Sequence, residues 1–275
     1  MRLTNGLLCL LLSGAGACTL SPTIVFPEGF APAPGPEALQ LPPKGEAGRG
    51  CLSALSLTGD IDGKATAGEC VKGNEGYGSL TGLDFASGQL LLRSSFEDQG
   101  PHPDGDHAAS ALLNTASGPL LCAPKASFTT EGNVLGSLTA TELHALQRCD
   151  SVPPGDGVLD FGAQGKAVCG TIEGQTVDDK ILVYNTDSRG TLEFATQKGK
   201  LRLQLDVADQ RRKVKFMEYI TLEGSRISLA CAGSQSYVDG NREGGHWEPS
   251  HVHIEGVSLQ SCTEAPKISG SFDLR

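Results

Sequence analysis

The chain has 275 residues, enough for one or two domains of ordinary size. Hydrophobic residues make up 39% and charged residues 20%, the balance of a globular protein, while 36 Gly and 15 Pro point to many turns and few long helices. Acidic residues outnumber basic ones 32 to 22, and the net charge of −10 repels phosphate backbones and anionic headgroups, which excludes nucleic acid as the expected partner.

Residues 1–17 read as a signal peptide. Arg2 supplies a thin positive start, Leu7 to Leu12 an apolar core and Ala15-Gly16-Ala17 a small-residue cleavage site. Cys18 follows directly, as in the lipobox of bacterial lipoproteins, although Ala15 stands where that motif usually has Leu. Lipidation of Cys18 is the favoured expectation and would give a membrane anchor; simple secretion through the same cleavage is the alternative. The expected location is therefore outside the cytoplasm, either outer membrane-anchored or periplasmic or extracellular. No later stretch reaches the ~18 uninterrupted apolar residues that a spanning helix needs.

Residues 18–50 form a Pro-rich tether, with Pro22, Pro27, Pro32, Pro34, Pro36, Pro42 and Pro43. Such composition favours an extended spacer of ~3.1 Å per residue, which would hold the rest of the chain away from a membrane surface.

From Cys51 onward the chain repeats itself. Gly59-Asp60-Ile61-Asp62-Gly63 returns as Gly170-Thr171-Ile172-Glu173-Gly174, and Leu83-Asp84-Phe85-Ala86 as Leu192-Glu193-Phe194-Ala195. Leu90 to Arg93 matches Leu201 to Gln204, Leu121-Cys122 matches Ala230-Cys231, and Leu146 to Cys149 matches Leu259 to Cys262. Gly157 to Phe161 closes the first copy as Gly270 to Leu274 closes the second, and the offsets stay between 109 and 113. This divides the chain into a β domain at 51–163 and a second at 164–275.

Within each copy the local signals are strands and hairpins. Asp62-Gly63 sits between alternating segments, as a two-residue type I′ turn does. Leu201, Leu203, Leu205 and Val207 alternate with polar residues, which puts them on one face of a half-buried strand. Thr139 to Arg148 has a mildly helical composition, but its repeat partner His251 to Ser261 alternates as a strand, so both are read as strands. The expected fold is all-β: two tandem duplicated β-sandwich or jelly-roll-like domains.

Cysteine usage fits an oxidising compartment. Cys122 and Cys149 occupy the repeat positions of Cys231 and Cys262, so the simplest expectation is one equivalent disulfide per copy, each contributing on the order of 3–4 kcal/mol by the chain-entropy model. Cys51 with Cys70 is the preferred third pair and leaves Cys169 over.

Each copy resembles a loosely defined group of exported bacterial β-rich proteins, often lipoproteins. The resemblance rests on the opening Gly59 to Gly63 hairpin, the single mid-domain Cys122, and the closing strand Ser269-Gly270-Ser271-Phe272-Asp273-Leu274. It implies export and a β fold and brings no catalytic residues.

Three constellations could carry chemistry. Asp60, Asp62, Gly63 and Glu69 match several positions of a calcium loop, but Thr58 stands where its first Asp belongs, and a plain hairpin turn is the better reading. The loop Gly100 to His107 places His102, Asp104, Asp106 and His107 together, all competent zinc ligands. In the second copy, His246 and Trp247 precede His251 and His253, which on a strand point to one face, as a two-histidine metal site requires. The nominal repeat positions in the first copy are Leu138 and Ala140. The basic run Arg211-Arg212-Lys213 is read as a solvated turn.

No nucleophile elbow, His-Glu-x-x-His, Walker loop or Cys-x-x-Cys occurs. The expectation is a non-catalytic cell-envelope module, binding or structural, whose partner is a protein or small molecule. No cofactor is expected beyond a possible Zn or Ca. The alternative is a metal-binding protein or metal-dependent hydrolase built on His251 and His253.

Overall fold

Alternating apolar and polar side chains give a chain strands with one face to bury, and the computed structural model consists almost wholly of such strands. It describes residues 53–58, 69–77, 80–85, 88–94, 104–115, 120–131, 134–186, 190–206, 210–232, 236–243 and 246–274. The first run of strands is β1 (Ser53–Thr58), β2 (Glu69–Tyr77), β3 (Leu80–Phe85), β4 (Gly88–Ser94), β5 (Gly105–Thr115), β6 (Leu120–Glu131), β7 (Val134–Ala140) and β8 (Leu143–Leu146), ending in a 3-10 turn at Cys149–Ser151. The second is β9 (Gly157–Gly162), β10 (Ala167–Ile172), β11 (Gln175–Thr186), β12 (Thr191–Thr196), β13 (Gly199–Leu205), β14 (Arg211–Glu223), β15 (Arg226–Ala232), β16 (Tyr237–Glu243) and β17 (His246–Ser261). Two short strands finish the chain, β18 (Lys267–Ile268) and β19 (Ser271–Leu274). Among the described residues there is no α-helix. The protein is all-β.

All pairings are antiparallel. In the second sheet they run β13-β12-β11-β10-β9-β17-β15-β14, and β14 returns to β13, so the sheet is a closed barrel; β16 fills the seam between the other ends of β14 and β17. In the first sheet they run β6-β5-β4-β3-β2-β1-β19-β7, with β8 and β18 beside the start of β6. β7 in turn pairs back to β6 over five residue pairs, so this sheet also returns on itself, and β19 bridges β1 and β7 through four and three paired residues. Within the all-β class, the faces that meet in each core belong to one curved sheet.

Three apolar cores follow from side-chain alternation. Leu90, Leu92, Leu113, Leu121, Phe128, Leu138 and Phe272 fill the first sheet. Phe161, Phe194, Leu201, Leu203, Met217, Val252 and Ile254 fill the second. The third core lies between the sheets: Leu91, Leu112, Leu120 and Cys122 point out of the first and meet Ile220, Leu222, Leu229 and Cys231 from the second. Strands buried on both faces lose strict alternation and read as continuous apolar runs, as Leu90-Leu91-Leu92 and Leu120-Leu121-Cys122-Ala123 do. Polar contacts frame this interface: Ser110 Oγ donates to the Gly224 carbonyl at 2.6 Å and Arg93 Nη1 to the Gln197 carbonyl at 2.8 Å.

The sheets do not divide where the repeat divides. β9, which ends the first copy, lies in the second sheet between β10 and β17. β19, which ends the second copy, lies in the first sheet between β1 and β7. Each copy thus hands its closing strand to the other sheet. The two-residue hairpin predicted at Asp62-Gly63 lies outside the described residues. Its repeat partner Glu173-Gly174 joins β10 to β11 with φ of 50° and 73°, the left-handed pair that a type I′ turn requires. The Thr139 to Arg148 segment and His251 to Ser261 are indeed strand-bearing.

The disulfides correct the expected pairing. Cys122, Cys149, Cys231 and Cys262 are all bonded, but as Cys122–Cys262 and Cys149–Cys231, not one bond within each copy. The reason is geometric: Cys122 and Cys231 point out of their own sheets into the shared core, where the segments carrying Cys149 and Cys262 pass. Around them Gln147 N–H donates to Gln260 Oε1 at 2.9 Å and Gln260 Nε2 donates to the Gln147 carbonyl at 2.8 Å. These two glutamines are repeat equivalents, but they contribute differently, Gln147 through its backbone and Gln260 through its side-chain amide. The bonds span 140 and 82 residues, and loops of that length, closed singly, are worth about 4 to 5 kcal/mol each on the chain-entropy account. Cys51 lies outside the described residues, as does the side chain of Cys70. Cys169 joins neither bond; its half-buried thiol donates to the Ala167 carbonyl at 3.8 Å.

Candidate functional site

The densest cluster of chemically capable side chains sits on the outer face of the second sheet, where β14, β16, β17 and β9 run side by side. In β17, Val252 and Ile254 are buried in the core, so His251, His253 and Glu255 stand on the outer face. In β9, Leu159 and Phe161 point inward and Asp160 outward. The register sets Asp160 opposite His253.

Asp160 bridges the two histidines. His251 Nε2 lies 2.8 Å from Asp160 Oδ1, and His253 Nδ1 lies 2.6 Å from Asp160 Oδ2. The other ring nitrogen of His253 lies 3.0 Å from Glu255 Oε1. Ionised carboxylates only accept hydrogen bonds, so a His253 that satisfies both must donate from both nitrogens, which is the imidazolium form. Burial works against that charge, but the hydrogen bonds to Glu255 and Asp160 outweigh it and hold the His253 pKa above the ordinary imidazole value. Burial likewise opposes ionisation of Asp160, and the bonds from His253 and His251 overcome it and keep the carboxyl below its ordinary range.

An aromatic and a guanidinium extend the cluster sideways. Tyr237, opposite His253 in β16, stacks on its ring with centroids 5.0 Å apart and planes 29° apart. The Arg211 guanidinium lies 3.9 Å from the Tyr237 centroid and donates two bonds, of 2.7 and 2.9 Å, to Asp239. That pairing raises the Arg211 pKa and lowers that of Asp239. One strand position away, Arg212 lies 3.8 Å over Trp247, which spreads across the backbone at Gly240, where a Cβ would collide with the indole. Trp247 Nε1 is buried without a hydrogen-bond partner.

The residues singled out in the sequence fare differently. His251 and His253 do share a face and do meet. The side chain of His246 is outside the described residues; its backbone opens β17 opposite Glu243. His102 is outside as well, and so is the loop of Asp60 and Asp62, with only the backbone of Glu69 described. His107 lies in β5, 2.7 Å from Thr130 Oγ1 and with its ring tilted on Phe128. The basic run opens β14 paired with β16 and is not a turn: Arg211 binds Asp239, Arg212 covers Trp247 and Lys215 meets Asp206 at 2.6 Å. Asp160, Tyr237 and Asp239 went unnoticed in the sequence. One signal existed for Asp160: it is the repeat partner of Asp273.

Among the described residues no group of three or more His, Cys, Asp or Glu is placed to hold a metal ion. The side chains face one another in nitrogen-to-carboxylate pairs and do not converge on a common point. No family model matches the chain, and neither a curated protein nor a solved structure matches it.

Proposed function

We propose that the protein is a non-catalytic cell-envelope module, exported and held at a membrane by lipid on Cys18, that serves as a rigid binding or structural element. The observation that carries this reading is the pair of disulfides in the core between the sheets. Such bonds form and persist in oxidising compartments outside the cytoplasm. Their effect is to lock two copies of one unit into a single body, which suits a scaffold better than an enzyme that must open and close.

The partner is inferred to be a protein or small molecule. Acidic composition argues against nucleic acid. Some outward residues of the second sheet form partly exposed ion pairs, such as Lys200 with Glu193 at 3.1 Å and Arg202 with Glu193 at 3.5 Å, which fit water better than lipid. A metal-dependent reading through His251 and His253 has less behind it, because His253 commits both ring nitrogens to carboxylates. Elemental analysis of the purified chain tests that rival: one equivalent of zinc, absent after joint His251→Ala and His253→Ala substitution, would revive it.

Fractionation and fatty-acid labelling test the main reading. The full chain expressed in a bacterium should incorporate labelled palmitate, follow the envelope membranes and lose both properties on Cys18→Ser substitution. A reduced, unlabelled chain in the cytoplasm would contradict the proposal.

A further inference from the structure

We propose that Asp160, His251 and His253 form a pH-dependent clasp across the seam between β9 and β17, tight in mildly acidic medium and loosened as pH rises. The seam is where the strand received from the first copy enters the second sheet, so its strength governs whether that strand stays seated. The backbone register across it shifts between Glu255 and Val257. Asp160 is held from the opposite strand by two ring nitrogens within 2.8 Å.

The first sheet supplies an internal control. Its corresponding seam joins β19 to β7, and Asp273, the repeat partner of Asp160, stands opposite Thr139 there. Thr139 Oγ1 donates to Asp273 Oδ1 at 2.8 Å, a link whose donor does not titrate in the physiological range. Both seams therefore place an aspartate at the same point, and only the second meets it with imidazoles.

Among the described residues, Asp160 faces the clasp from β9, Glu255 from β17 itself and Tyr237 and Asp239 from β16; on β14, Arg211 is held by its bonds to Asp239, and Lys213, paired with Tyr237, stands one strand further from His253. On β10 the nearby thiol of Cys169 turns to the Ala167 carbonyl. Carboxylates thus dominate around His253. Because its native pKa lies above the ordinary 6.5, the protonated ring stabilises the fold fully below that value, and the contribution fades as pH rises through the native pKa. Asp160 has a native pKa below the ordinary 3.8, so its contribution is complete above that value and fades as pH falls through the native pKa. The clasp is at full strength between the two ordinary values.

Hydrogen exchange on the full chain, corrected for intrinsic rates, tests this at pH 5.5 and 8.5. Opening of the β9 amides should be several-fold more frequent at the higher pH, the β19 amides should show no such difference, and His253→Gln should abolish it. An equal pH response in both seams, or one that survives His253→Gln, would overturn the clasp. Should the variant fail to fold, the His253 ring titration in the wild-type chain decides by NMR. A midpoint above 6.5 agrees with the clasp, and one at or below 6.5 refutes it.

Discussion

Glu218 lies between the two sheets, 6% exposed, and accepts a hydrogen bond of 3.1 Å from Asn114 of the first. Burial pushes its carboxyl above the ordinary value of 4.5, although Arg202, Arg148 and Lys200 pull the other way. A raised carboxyl pKa means that ionisation is disfavoured in the fold, so this group costs stability above its unfolded pKa and nothing below both values. Glu218→Gln, which keeps the shape and an acceptor for Asn114, should therefore melt at a higher temperature than wild type at pH 7 and at the same temperature near pH 3. Scanning calorimetry at the two pH values checks this; a variant less stable at neutral pH would show that the ionised group is needed. The histidine pair was legible at this scale because a strand alternates, and two residues apart means one face. Asp160 was not, since its link to His253 runs across 93 residues of sequence and depends on a register that no local pattern fixes. The repeat alignment also misled by one residue: it set Leu138 and Ala140 against the histidines, yet both are buried, and Thr139 holds the place of His253. In a strand, a one-residue slip exchanges the faces.

At the scale of elements, the short strand β19 holds the first sheet together. It has four residues, of which Phe272 is fully buried and Leu274 is 1% exposed, and it bridges β1 to β7. Deleting residues 271–275 removes both anchors and should lower the unfolding free energy by at least about 4 kcal/mol, judged from what large-to-small changes in cores cost. Denaturant unfolding reads the loss, and a truncated chain of unchanged stability would show that β1 and β7 do not depend on the bridge. The strands themselves were largely legible, because alternation in β13 and the turn at Glu173-Gly174 carry local instructions. Which strand pairs with which was not. β9 and β19 read as closing strands of the copies they follow, and nothing within four to six residues records that each is received by the other sheet. The apolar runs at Leu90 to Leu92 and Leu120 to Ala123 carried the missing information: a strand apolar on both faces has two neighbours to pack against.

At the scale of the whole molecule, the two sheets meet face to face through the third core, β9 and β19 each pair into the sheet formed mainly by the other half of the chain, and two disulfides and a glutamine pair cross between the halves. Repeat symmetry made a bond within each copy the economical expectation, but crossed bonds obey the same symmetry, and only the outward direction of Cys122 and Cys231 decides between them. The proposed scaffold role rests on this covalent closure, because a body tied across its own interface keeps whatever surface it presents in a fixed geometry. Mass spectrometry of peptides from the non-reduced chain tests it most directly. Linked peptides should join Cys122 to Cys262 and Cys149 to Cys231, whereas links from Cys122 to Cys149 and from Cys231 to Cys262 would mean two independently stapled copies and contradict the account.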